Sequence, residues 1–93
     1  MAVGVCTVEL YMPDGHSLKS KRQILMSLKD RLRGKFNVSV AEVGDQDLWQ
    51  KAVLGIACVA NERSYVTQVL DQAVNVIRAV PTVEIVQTQL DVL

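Results

Sequence analysis

The residues with the strongest claim to chemistry are cations, and they are crowded into one stretch. Between Gly15 and Lys35 (GHSLKSKRQILMSLKDRLRGK) stand Lys19, Lys21, Arg22, Lys29, Arg31, Arg33 and Lys35, with Asp30 the single acid, seven minus one or +6. The remaining residues hold Lys51, Arg63 and Arg78 against nine acids, a balance of −6, so a chain of formal net charge +0 has segregated its charge along the sequence. Such asymmetry points to an anionic partner. The spacing sharpens it. Lys19, Arg22, Met26, Lys29 and Arg33 recur at intervals of 3, 4, 3 and 4, which form one continuous line on a helix. A line of four cations attracts phosphate with a strength that falls as salt rises. At the start of the stretch Ser17, Ser20, Lys19 and Lys21 converge on free helix N–H groups, which bind anions readily, with His16 just ahead of them. Cations at that end are unfavourable for the helix alone. The same pattern also suits a solvated face built from good helix formers.

The other titratable residues carry weaker signals. His16, the one histidine, is either a pH-sensitive or phosphate-contacting group or an ordinary polar loop residue. No serine or cysteine stands in triad relation to it, so no catalytic residue is assigned and no enzyme activity is expected. Glu42, Asp45 and Asp47 suit either a hard cation or plain turn chemistry, and they match no complete calcium loop, so no metal site is assigned. Cys6 and Cys58 share no metal spacing and sit in apolar runs. They read as reduced, packed thiols, with a bridge between neighbouring strands as the other possibility. Trp49 is either an anchor for its loop or an exposed recognition aromatic. The RNA-binding motifs that stack bases on sheet aromatics are absent, since Val5–Tyr11 and Lys51–Val59 carry only Tyr11. Any RNA contact is therefore expected on the basic helix or its leading loop. There is no glycine-rich phosphate loop, and no cofactor is expected.

These residues must be positioned by regular elements. Val3–Tyr11 alternates with period two, placing Cys6, Val8 and Leu10 on one face. Pro13-Asp14-Gly15 is turn chemistry. Ser17 or Ser20 can cap a helix over Leu18–Arg33, with Ile24, Leu25, Leu28 and Leu32 as its apolar stripe and Gly34 as its left-handed terminator. Phe36–Val43 reads as a second strand. Lys51–Ala60, apolar at nearly every position, reads as a central third strand, with Gly55 marking a bulge or close approach. Asn61 can cap a second helix over Glu62–Ala79, in which Val66, Val69, Leu70, Ala73, Ile77 and Val80 recur, and Pro81 stops it. Thr82–Leu90 reads as an edge strand.

The order β-α-β-β-α-β is the split motif of an α+β, ferredoxin-like fold, with two helices on one face of a four-stranded antiparallel sheet. The sheet's other face has no covering element. Residues 1–93 make one domain, large enough for one modest core because a chain of this size buries roughly 60–65% of its surface. No run of about 18 apolar residues is present to cross a membrane. The N-terminal segment reads as a strand rather than a signal peptide, so the expected compartment is the cytoplasm.

Taken together, His16-Ser17-Leu18-Lys19 with Lys21-Arg22, Phe36-Asn37-Val38-Ser39-Val40-Ala41-Glu42, and Gln46-Asp47-Leu48-Trp49-Gln50 resemble the YlxP-like family of small bacterial proteins, a domain of unknown function. The resemblance spans nearly the whole chain. It implies a ferredoxin-like fold, no enzyme activity and no cofactor, and a loose link with translation and ribosome maturation. The expectation is a non-catalytic accessory protein that binds ribosomal or other structured RNA through His16, Ser17, Lys19, Lys21, Arg22, Lys29 and Arg33. The alternative is a homo-oligomeric module, a homodimer for instance, using the open sheet face or an edge strand.

Overall fold

A computed structural model describes Met1–Leu93. Six elements follow one another: β1 (Ala2–Tyr11), α1 (Leu18–Lys35), β2 (Val38–Gly44), β3 (Lys51–Ala60), α2 (Arg63–Arg78) and β4 (Glu84–Val92). The strands form one sheet in the order β2-β3-β1-β4, antiparallel at every neighbouring pair. This is the α+β, ferredoxin-like arrangement. No helix is long and apolar enough to cross a membrane.

Alternation builds the core. Ala2, Cys6, Val8 and Leu10 of β1, with Met12 beyond it, are buried, as are Ala52, Leu54, Ile56 and Cys58 of β3. Leu25, Leu28 and Leu32 come down from α1, and Val66, Val69, Leu70, Ala73 and Ile77 from α2. Each fully buried large aliphatic contributes about 1.5–3 kcal/mol. Gly4 lies where α2 comes closest to the sheet: a Cβ there would overlap Val66 Cγ1 and stand 2.8 Å from Leu70 Cδ1. Glycine is what admits that approach.

Several boundaries differ from the sequence expectation, each for a tertiary reason. Helix α1 continues through Gly34 to Lys35, no glycine takes a positive φ, and the Phe36 N–H bonds the Leu32 carbonyl. Phe36 packs against the core, which carries the last turn onward. Helix α2 is capped by Glu62 in extended conformation, with no side-chain cap bond, rather than by Asn61. Strand β4 begins at Glu84 because Val83 is buried as a core plug after the turn, and it extends to Val92 to pair along β1 from Tyr11 to Gly4. Strand β2 begins at Val38 and ends at Gly44. Gly55 itself is in register with both neighbours. The irregularity lies next along β2, between Glu42 and Gly44 and opposite Leu54 and Val53, and a Cβ on Gly55 would come within 3.2 Å of Val43 Cγ1.

Candidate nucleic-acid interface

The basic stretch folds as expected at its first residue. Ser17 is extended (φ −164°, ψ 165°) and its hydroxyl accepts from the Ser20 N–H at 3.1 Å, satisfying one orphan donor of the helix. His16 is exposed just ahead of the cap, and no acid stands in the first turn to match the helix dipole.

Lys21 departs from the expectation. It is 1% exposed. Its ammonium lies 2.8 Å from Glu42 Oε2 and donates to the Asp45 and Leu48 carbonyls, both at 2.7 Å. Two carbonyls accept its hydrogen bonds and the neighbouring carboxylate balances its charge, so the buried ammonium is not offered to a ligand. The physical reason is helical phase: Lys21 stands one turn before Leu25 on the buried stripe of Lys21, Leu25, Leu28 and Leu32. The spacing of four to Leu25 was the available signal, and the positive charge obscured it.

The pin organises two loops. Asp45 takes a left-handed conformation (φ 58°), its carbonyl also accepting from the Leu48 N–H at 3.1 Å. The Met12 N–H donates to the Gln50 carbonyl at 2.7 Å, and a Cβ on Gly15 would lie 2.7 Å from the Trp49 carbonyl oxygen. The segment after β1 and the β2–β3 loop are therefore laced together beside the start of α1. Gln50 makes the bonds of this contact, its side chain also donating to the Pro13 carbonyl at 3.5 Å, while Trp49 beside it is 55% exposed. Tyr11, Leu48, Trp49 and Lys51 border a shallow cleft of about 520 Å³.

The remaining cations form a row. Lys19 and Arg22 are exposed, Met26 between them and the rest is 62% exposed, Lys29 is half-buried and Arg33 is exposed. Arg33 donates to the Val40 carbonyl at 2.9 Å and stands 3.8 Å from Asp30. That bond places the C-terminal end of the row over β2. Arg31 lies on the opposite flank, with Ile24, Ser27, Val80 and Thr82. The one acid of β2, Glu42, is taken up by Lys21. Removing Lys21 leaves six cations and Asp30 in the stretch, a net +5.

The other titratable residues lie apart from this row. Cys6 and Cys58 are free and buried on neighbouring strands. Burial pushes both thiols up, and at Cys6 the Asp71 carboxylate adds to the effect. No group of three or more His, Cys, Asp or Glu residues comes together in a way that would hold a metal ion.

A ferredoxin-like domain whose own first helix is basic is the class of protein so defined. Residues 3–90 match the family described as "Protein of unknown function (DUF503)". The chain is 37% identical over 82 residues to "Uncharacterized protein YlxP" of Bacillus subtilis (strain 168), a match covering 88% of this chain and 89% of that relative. The chain belongs to the DUF503 family.

Proposed function

We propose that the protein is a non-catalytic cytoplasmic accessory factor that binds the phosphates of structured RNA, ribosomal RNA included, through the outer face of α1. The observation that carries this reading is the row Lys19, Arg22, Lys29 and Arg33 around exposed Met26, with Asp30 the only acid on the helix. Lys21 supports the row indirectly, because it neutralises the carboxylate of β2 that would otherwise oppose the field. The contacts are to backbone phosphate and so recognise shape rather than sequence.

Salt-titrated co-sedimentation with ribosomal subunits tests the proposal. Four phosphate contacts give a log–log salt slope of about −3 to −4. The variant Lys19→Glu/Arg22→Glu/Lys29→Glu reverses the row while sparing the Arg33–Val40 bond that the fold uses. It is expected to lose retention with an unchanged circular dichroism spectrum. Retention equal to that of the unmodified protein at every salt concentration would overturn the proposal.

A further inference from the structure

Each edge of the sheet carries a bulge and one arginine on a strand carbonyl, Arg33 on Val40 at β2 and Arg63 on Val92 at β4, but on β4 both lie at the ends of the strand. At β2 the Arg33 side chain occupies the Val40 carbonyl, and a bulge interrupts the ladder between Glu42 and Gly44. Both devices discourage pairing with another strand. Strand β4 has β1 on one side and no strand on the other, and its sequence EIVQTQLDV contains no lysine, arginine or proline. Its own irregularity sits opposite Glu9 and Leu10, leaving Gln87–Val92 regular. Val3 and Leu93 exchange both backbone hydrogen bonds, at 3.5 and 2.7 Å. Antiparallel alternation then turns the backbone groups of Asp91 and Gln89 toward β1 and those of Thr88, Leu90 and Val92 out of the edge; Arg63 takes the Val92 carbonyl at 3.4 Å, which leaves Thr88 and Leu90 as the open positions.

Above this edge α2 stops short of covering β4. An open groove of about 370 Å³ separates them, bordered by Leu70, Asp71, Val74, Arg78, Thr88 and Leu90. Leu90 is 38% exposed there. Asp71 and Arg78 are two helical turns apart on the groove side of α2. Neither belongs to the chain's two ion pairs, Lys21–Glu42 and Arg33–Asp30.

We infer that a second copy of the chain docks on this edge, with the two β4 strands pairing antiparallel about Gln89. A two-fold axis there sets Thr88 against the partner's Leu90 and Leu90 against the partner's Thr88, and these are residues whose N–H and C=O groups point outward. Isologous contacts demand that a surface complement itself, and the α2 side of the groove does. Its midpoint falls between Val74 and Asn75, over the Thr88–Leu90 segment that borders the same groove. The axis that pairs the strands therefore brings Asp71 toward the partner's Arg78 and Arg78 toward the partner's Asp71, with Val74 and Leu90 between the two charge pairs. A partner of a single charge sign would match one of these residues and oppose the other. The product is an eight-stranded sheet carrying all four helices on one face.

Sedimentation equilibrium from micromolar to millimolar protein, without nucleic acid, tests this. A monomer–dimer equilibrium is expected. Asp71→Arg and Arg78→Asp should each weaken it about tenfold or more, since each sets like charges together across the axis. The double variant Asp71→Arg/Arg78→Asp should restore it. Leu90→Pro, which removes an outward N–H and no bond to β1, should abolish association with the circular dichroism spectrum retained. A monomer at every concentration would overturn the inference. So would a dimer indifferent to the charge variants, which would point to the uncovered sheet face instead.

Discussion

Lys21 shows how a charged side chain becomes part of a core. Its ammonium is enclosed by one carboxylate and two loop carbonyls, and Glu42 retains 20% of its side-chain exposure. Lys21→Ala would strand a mostly buried carboxylate, and a loss of about 3 kcal/mol is expected, the low end for breaking a buried pair because Glu42 keeps some solvent. Lys21→Met/Glu42→Leu removes both charges. It should recover more than half of that loss, because no buried charge is then left without its partner. Urea unfolding midpoints at constant slope measure both. Gly4 is the apolar counterpart. A methyl group there meets Val66 and Leu70, so Gly4→Ala should cost about 1–3 kcal/mol by overpacking, read in the same unfolding experiment. The thiols give a pH prediction. Their protons are held more tightly in the folded protein than in the unfolded chain. Below about pH 8.5 both states are protonated and the cysteines leave stability unchanged. Above it the unfolded chain ionises first, so stability falls as pH rises. The difference in alkaline unfolding between the unmodified protein and Cys6→Ala/Cys58→Ala isolates this term, which should grow from pH 8.5 upward.

At the scale of elements, what was legible followed from short-range periodicity. The alternation of Cys6, Val8 and Leu10 and the helical spacing of Leu25, Leu28 and Leu32 each report which side faces the core, and the structure buries all six. The edge position of β4 and the central position of β3 were readable from polarity alone. What escaped depends on distant partners. Gly34 stays helical because Phe36 finds the core, and β4 begins where β1 leaves room for it, at Tyr11 opposite Glu84. In the candidate site the outer row was visible in its spacing, while the inward turn of Lys21 was hidden by its charge type. The loop that receives it, Asp45 to Leu48, lies 24 to 27 residues further along the chain. The resemblance segments His16–Arg22, Phe36–Glu42 and Gln46–Gln50 are apart in sequence, yet all three contribute to the surroundings of this one ammonium.

For the whole molecule, the arrangement separates two surfaces. The basic row runs beside β2 at one edge of the sheet, and the proposed self-docking edge is β4 at the other. In the paired form the two β2 strands would stand about 34 Å apart, seven strand spacings of about 4.8 Å. Two rows at that separation would engage one large RNA with the gain that linked sites provide. The strand order also governs how the chain comes to be folded. Strand β1 is the first element along the chain, but its neighbours β3 and β4 come much later: Ala2 pairs with Ala60 and Gly4 with Val92. A nascent chain therefore leaves Cys6, Val8 and Leu10 unpaired until their partners Ile56, Leu54 and Ala52 are polymerised. Contacts so distant along the chain favour slow folding, and during synthesis that waiting strand is the segment a holding chaperone would grasp.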